Sequence, residues 1–92
     1  EGDDWSKIKC LTGHFTQVKS LCFSKDGKIL ASGYFDGYIK LWNWKTGKAI
    51  RNLEGHKGYW GIYSICFSND GKMLASGGGD SNIKLWNIIT GK

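Results

Sequence analysis

The sequence predicts an all-β fold of two four-stranded antiparallel units in tandem, and three observations carry that prediction. Residues 21–48, LCFSKDGKILASGYFDGYIKLWNWKTGK, recur without a gap as residues 65–92, ICFSNDGKMLASGGGDSNIKLWNIITGK, with about two positions in three identical. Short runs rich in β-branched and aromatic residues alternate with Gly, Asp and Asn. Asp-Gly pairs separate the apolar runs, a strong local hairpin signal because Gly accepts a positive φ at little cost.

The first unit reads as strands over roughly 17–23, 28–33, 38–43 and 48–53. Asp26-Gly27, Asp36-Gly37 and Thr46-Gly47 supply its turns. The second unit reads as strands over roughly 60–67, 72–77 and 82–88, with Asp70-Gly71 as the matching first turn. A Gly-His pair precedes each unit, Gly13-His14 and Gly55-His56. The His pair is offset by 42 residues and the Trp42–Trp86 pair by 44. Two extra residues therefore enter the second unit near Gly58 to Gly61. A period in the low forties also suits helical repeats, but the short strands and Gly-centred turns decide against them.

The second unit lacks a fourth strand, because the chain ends at Lys92 where the first copy continues into Ala49–Leu53. Its counterpart lies at the other end. Ile8-Lys9-Cys10-Leu11 precedes Thr12-Gly13-His14 as Ile50-Arg51-Asn52-Leu53 precedes Glu54-Gly55-His56. The expected organisation is a lead-in with an orphan outer strand over 1–13, a first blade-like unit over 14–55, and a second over 56–92 without its outer strand.

Composition narrows the function classes. The 92 residues suffice for one small domain. Gly numbers 14, Pro is absent and five Trp are present, which suits tight turns and a packed interior rather than a disordered linker. The net charge of +5 comes from Lys scattered singly, so there is no basic arm. A solvated surface accounts for it; attraction to an acidic partner such as nucleic acid is the functional alternative. Cys10, Cys22 and Cys66 have neither CxxC nor zinc-type spacing, so neither a disulfide framework nor a metal site is expected. Reduced thiols point to an intracellular, cytoplasmic setting. No apolar run has transmembrane length. The first residue is Glu rather than Met, which leaves a fragment or a processed product open, and the lack of a targeting signal carries little weight.

These features resemble the WD-repeat β-propeller family over nearly the whole chain. The marks are Gly13-His14, Ser32-Gly33, Asp36 and Trp42-Asn43, repeated as Gly55-His56, Ser76-Gly77, Asp80 and Trp86-Asn87. Each Asp stands six residues before its Trp. Both copies close on Trp-Asn where the family has Trp-Asp, and Tyr38 and Asn82 replace the usual Thr after the Asp. The resemblance implies propeller blades, and within each blade a buried hydrogen-bonded set: His14, Ser32, Asp36 and Trp42, then His56, Ser76, Asp80 and Trp86. The chemistry is sound, since Trp donates, Ser and neutral His both donate and accept, and Asp accepts. A catalytic reading of Ser, His and Asp is the weaker one. The set occurs twice at equal positions, and no Gly-x-Ser-x-Gly surrounds either Ser. The two His lack clustered Cys or acidic partners for a metal. Neither enzyme activity nor a cofactor is expected. Cys22 and Cys66 read as small buried core residues.

Blades pack face to face, so a pair leaves two apolar faces open. Either the chain is part of a longer propeller, or copies join head to tail, the 8–11 strand of one pairing with the 82–87 strand of the next. A trimer would have six blades and a tetramer eight. By the same resemblance, partners bind the face bearing the Gly-His loops, which would carry Gln17, Lys19 and Phe35, and Tyr59, Trp60, Tyr63 and Gly79. Trp60 or Tyr63 could instead pack between blades. The expected function is a protein-interaction scaffold; the alternative is an anion or nucleic-acid binder using the scattered Lys and exposed aromatics.

Overall fold

The computed structural model describes residues 11–12, 16–56 and 61–92. The first sheet contains β1 (Val18–Phe23), β2 (Ile29–Tyr34), β3 (Tyr38–Asn43) and β4 (Lys48–Glu54), in that spatial order. The second contains β5 (Ile62–Phe67), β6 (Met73–Gly78) and β7 (Ile83–Asn87). All pairings are antiparallel. Among the described residues β7 is the edge of its sheet, and no helix is long and apolar enough to cross a membrane. The orphan strand expected over 8–11 lies outside the described residues except for Leu11, as do Trp5 and Cys10.

The first turn of each sheet is built by the same side chains. Asp26 accepts from the Ser24 hydroxyl at 2.6 Å and from the Lys28 N–H at 3.0 Å, and the Ile29 N–H donates to Ser24 Oγ at 3.0 Å. Asp70, Ser68, Lys72 and Met73 repeat this at 2.6, 3.0 and 3.1 Å. Gly27 and Gly71 take φ of 76° and 74° at the turns, the left-handed region that only Gly enters freely. The Trp-Asn endings cap the next turn: Asn87 Oδ1 accepts from Ile89 N–H at 2.9 Å and Thr90 N–H at 3.1 Å, and Asn43 Oδ1 from Thr46 N–H at 3.3 Å.

Side chains alternate across each sheet, so register assigns two faces. The front face of the first sheet carries Leu21, Phe23, Leu30, Ser32 and Trp42; that of the second carries Ile65, Phe67, Leu74, Ser76 and Trp86. The back face of the first sheet carries Ala31, Gly33, Ile39, Leu41 and Leu53, matched in the second by Ala75, Gly77, Ile83 and Leu85. The core is one seam. Ala31, Ile39, Leu41 and Leu53 from the back of the first sheet meet Ile62, Ile65, Phe67, Leu74 and Ile88 from the second. Gly33 permits the approach, since a Cβ there would stand 2.6 Å from Ile62 Cγ2. Polar contacts close the seam along its length. Ser20 Oγ accepts from the Ile65 N–H at 3.2 Å, and Arg51 on β4 donates to the carbonyls of Ile89 at 2.6 Å and Thr90 at 3.2 Å.

Candidate functional site

Two structural features could carry function: the polar set beneath the seam, and the surfaces the seam leaves open. In the second sheet, Trp86 Nε1 donates to Ser76 Oγ at 2.9 Å, Ser76 Oγ lies 2.8 Å from His56 Nε2, and His56 Nδ1 lies 3.0 Å from Asp80 Oδ1. A carboxylate only accepts, so Nδ1 carries the proton, and in the neutral ring Nε2 accepts from Ser76. Gly78 makes room for the imidazole, because a Cβ there would collide with the His56 ring. The hydrogen bond from His56 and then that from the Asn82 N–H hold the Asp80 carboxyl below its ordinary value of 3.8. Ser76 and His56 are buried.

Among the described residues, the serine of the first sheet has a different onward partner. Trp42 Nε1 donates to Ser32 Oγ at 2.8 Å, as Trp86 does to Ser76, but Ser32 donates onward to the phenol oxygen of Tyr34 at 2.7 Å. Tyr34 stands where the second copy has Gly78. Asp36 Oδ1 accepts from the Tyr38 N–H at 3.2 Å. His14 lies outside the described residues. Sequence reading overlooked Tyr34, although the Tyr34-Phe35 against Gly78-Gly79 difference between the copies was its signal.

The loop end of the sheets holds the described part of the expected partner-binding group. Phe35 is exposed, with Lys19 Nζ 6.0 Å from its ring centroid, and its N–H donates to the Gln17 carbonyl at 2.9 Å. The Gly79 N–H donates to the Gly61 carbonyl at 2.9 Å, and Gly61 packs against the Phe35 backbone with a φ of 65°. Tyr63 is exposed rather than packed in the seam. Tyr59 and Trp60 lie outside the described residues.

Among the described residues, each sheet also leaves one apolar face open. On the front of the first, Val18, Leu21 and Phe23 are exposed, and with Leu30, Trp42 and Trp44 they line a groove of about 560 Å³. On the back of the second, Ile83 and Leu85 are exposed. The expectation that Cys66 is a buried core residue is corrected here: it lies on this open back face and is exposed, whereas Cys22, at the equal position of the covered sheet, packs against the core. Among the described residues no group of three or more His, Cys, Asp or Glu could hold a metal ion.

Residues 5–43 and 47–87 each match the family described as "WD domain, G-beta repeat". The chain is 46% identical over 50 residues to the Notchless protein homolog of Arabidopsis thaliana, covering 54% of this chain and 11% of that protein. It is 42% identical over 40 residues to the general transcriptional corepressor TUP1 of Saccharomyces cerevisiae, covering 44% of this chain and 6% of that protein. The chain thus spans about a tenth or less of the length of these curated relatives. Among solved structures, the computationally designed Ika4 protein superposes with a TM-score of 0.76 at 35% identity, over 90% of this chain and 48% of that one. With a Gly-His entry, a Ser, an Asp turn and a closing Trp recurring in two matched segments, the chain belongs to the WD domain, G-beta repeat family, and its sheets are blades of the β-propeller type.

Proposed function

We propose that this chain is a protein-interaction module that presents the loop ends of WD-type blades to another protein. The observation that carries the reading is the exposed Phe35 with Lys19 over its ring, with Tyr63 of β5 exposed as well. Aromatic side chains with a cation alongside are typical interface anchors. Gln17 joins this surface through the hydrogen bond of its carbonyl with Phe35; Tyr59 and Trp60, also expected here from the sequence, lie outside the described residues. The names of the relatives, a transcriptional corepressor among them, accord with such a role.

The same reading treats His56, Ser76, Asp80 and Trp86, and Ser32 with Trp42, as locks of the blades rather than reaction centres. Burial of Ser76 and His56 supports this, since a substrate carbonyl has no approach to the hydroxyl. It also has the blades completed by further blades, from a longer chain or from other copies, and the two open apolar faces support that. The free thiols of Cys22 and Cys66 favour a reducing, cytoplasmic setting.

The test is affinity capture with the wild-type chain and a Phe35→Ala/Tyr63→Ala variant. The variant is expected to lose the captured protein while its melting temperature stays within a few degrees of wild type. Equal capture by both would remove this surface from the function. A salt titration separates the alternative, because binding to phosphates weakens steeply as salt rises.

A further inference from the structure

We propose that the end of the sheets opposite the Gly55-His56 loop is a sequence-independent binding surface for the phosphate backbone of a nucleic acid. Lysines that stand singly along the sequence are brought together there by the topology. The strands run as an antiparallel meander, so the turns 24–28 and 44–48 share one end of the first sheet, and 68–72 and 88–92 share one end of the second. The two ends adjoin. Lys25 and Asp26 line a cleft with Asn69, Asp70 and Gly71, and Arg51, near the start of β4, donates to the Ile89 and Thr90 carbonyls. Among the described residues this end carries Lys25, Lys28, Lys45, Lys48, Lys72 and Lys92, all exposed, against Asp26 and Asp70. The opposite, loop end carries Lys19 against Asp36, Glu54 and Asp80 among the described residues. Charge is thus segregated along the strand direction.

Four of these lysines are built the same way. Each follows a Gly of positive φ: Gly27 at 76°, Gly47 at 81°, Gly71 at 74° and Gly91 at 80°. Each donates its N–H to the side chain two residues before it. Lys28 and Lys72 bond Asp26 and Asp70 at 3.0 Å, and Lys48 and Lys92 bond Thr46 and Thr90 at 3.3 Å. The turn therefore fixes where each flexible stem leaves the backbone. Lys28 and Lys48 stand at the starts of strands two apart, about 10 Å, and facing sheets stand about 10 Å apart. Ammonium groups on a grid of that pitch can follow a phosphate backbone without reading bases.

The other groups at this end suit the same ligand. Each carboxylate is engaged within its own turn, accepting from a Ser hydroxyl at 2.6 Å as well as from the Lys N–H. The caps after the closing tryptophans, Asn43 and Asn87, hold their turns through Oδ1 and bring no charge. Of the exposed large apolar side chains, only Ile89 belongs to the four turns. A protein or membrane interface draws on apolar anchors. A phosphate backbone asks for cations and small polar groups, and that is what these turns present.

The experiment is fluorescence anisotropy of a labelled random-sequence DNA duplex of about 20 base pairs, titrated with the 92-residue chain between about 50 and 200 mM salt. The wild type is expected to bind and to weaken steeply over that range. Lys28→Gln/Lys72→Gln should weaken binding about tenfold or more at about 0.1 M salt and lower the salt slope by about one per lysine. Lys40→Gln/Lys84→Gln removes the same net charge from the middle of β3 and β7 and should keep the wild-type slope. Asn43→Asp/Asn87→Asp keeps both cap acceptors, adds negative charge at the turn end and should also weaken binding. Circular dichroism checks that each variant retains its sheets. Phe35→Ala/Tyr63→Ala should bind the duplex as wild type does, so this surface and the loop-end surface stand or fall separately. Equal losses from the two lysine pairs would reduce the binding to net charge and overturn the proposal. So would a wild type that leaves the duplex unbound at the lowest salt, or one that binds phosphatidylserine vesicles and not the duplex.

Discussion

Ile39 and Ile83 occupy the same position of the two repeats, yet the first is 0% and the second 80% exposed. Leu41 and Leu85 differ in the same direction, 0% against 62%. On the opposite face the contrast reverses: Phe67 is 9% exposed and Phe23 56%. The strands, turns and registers of the two sheets are otherwise alike. Identical residues in identical local structure therefore differ in energetic weight according to whether a neighbour covers their face. A blade is a complete local structure but only half of a packing interface.

The two closing tryptophans test how much each sheet holds by itself. Both donate to a serine of their own sheet, so Trp42→Ala and Trp86→Ala should each cost about 3–5 kcal/mol in chemical denaturation. A small loss for Trp42 alone would assign the lock to the seam rather than to the blade. Next comes the leucine pair. Leu41→Ala should cost about 2–5 kcal/mol, while Leu85→Ala in a monomeric background should stay within about 0.5 kcal/mol. Equal losses would mean that another part of the same chain covers the back face of the second sheet.

The glycines give a smaller contrast. Gly27→Ala meets nothing within 4 Å and carries only the penalty of its positive φ, about 1–2 kcal/mol. Gly37→Ala adds a collision with the His56 carbonyl and should lower the melting temperature more than Gly27→Ala does. The difference between them measures the seam.

The smallest effect is in acid. The Asp80 carboxyl is held below its ordinary value by the His56 hydrogen bond. Its contribution is therefore complete above the unfolded value near 3.8 and is lost as pH falls through the lower folded value. Asp26 and Asp70 are lowered by the Ser24 and Ser68 hydroxyls and behave alike. Asp80→Asn should flatten the decline in melting temperature between about pH 4 and pH 2, with Asp70→Asn as the comparison outside the His56 set. A slope unchanged in Asp80→Asn but flattened in Asp70→Asn would place the acid sensitivity in the turns.

Much of the fold was legible because its signals are local. Asp26-Gly27 and Asp70-Gly71 mark turns through side-chain hydrogen bonds reaching two residues, and strand alternation assigns Leu21 and Phe23 to one face without reference to the rest of the chain. Ile62 and Ile83 begin their strands one or two residues later than expected, and Ile88 leaves β7 to pack into the seam, its N–H donating to the Lys72 carbonyl at 3.0 Å. Tyr34 was missed because a phenol that reaches back to Ser32 on the same face carries no local pattern of its own. Cys66 was misread because its sequence context is that of Cys22, and only the missing neighbour separates them.

The sequence by itself determined the period, the turns, the register of each ladder and which residues share a face, since these follow from φ preferences and a two-residue alternation. The tertiary structure alone decided which faces are covered, that Gly33, Gly55 and Gly78 are sites of close approach, and that Arg51 reaches the Ile89 and Thr90 carbonyls. Burial depends on what stands on the far side of a face, and that neighbour lies tens of residues away in the chain.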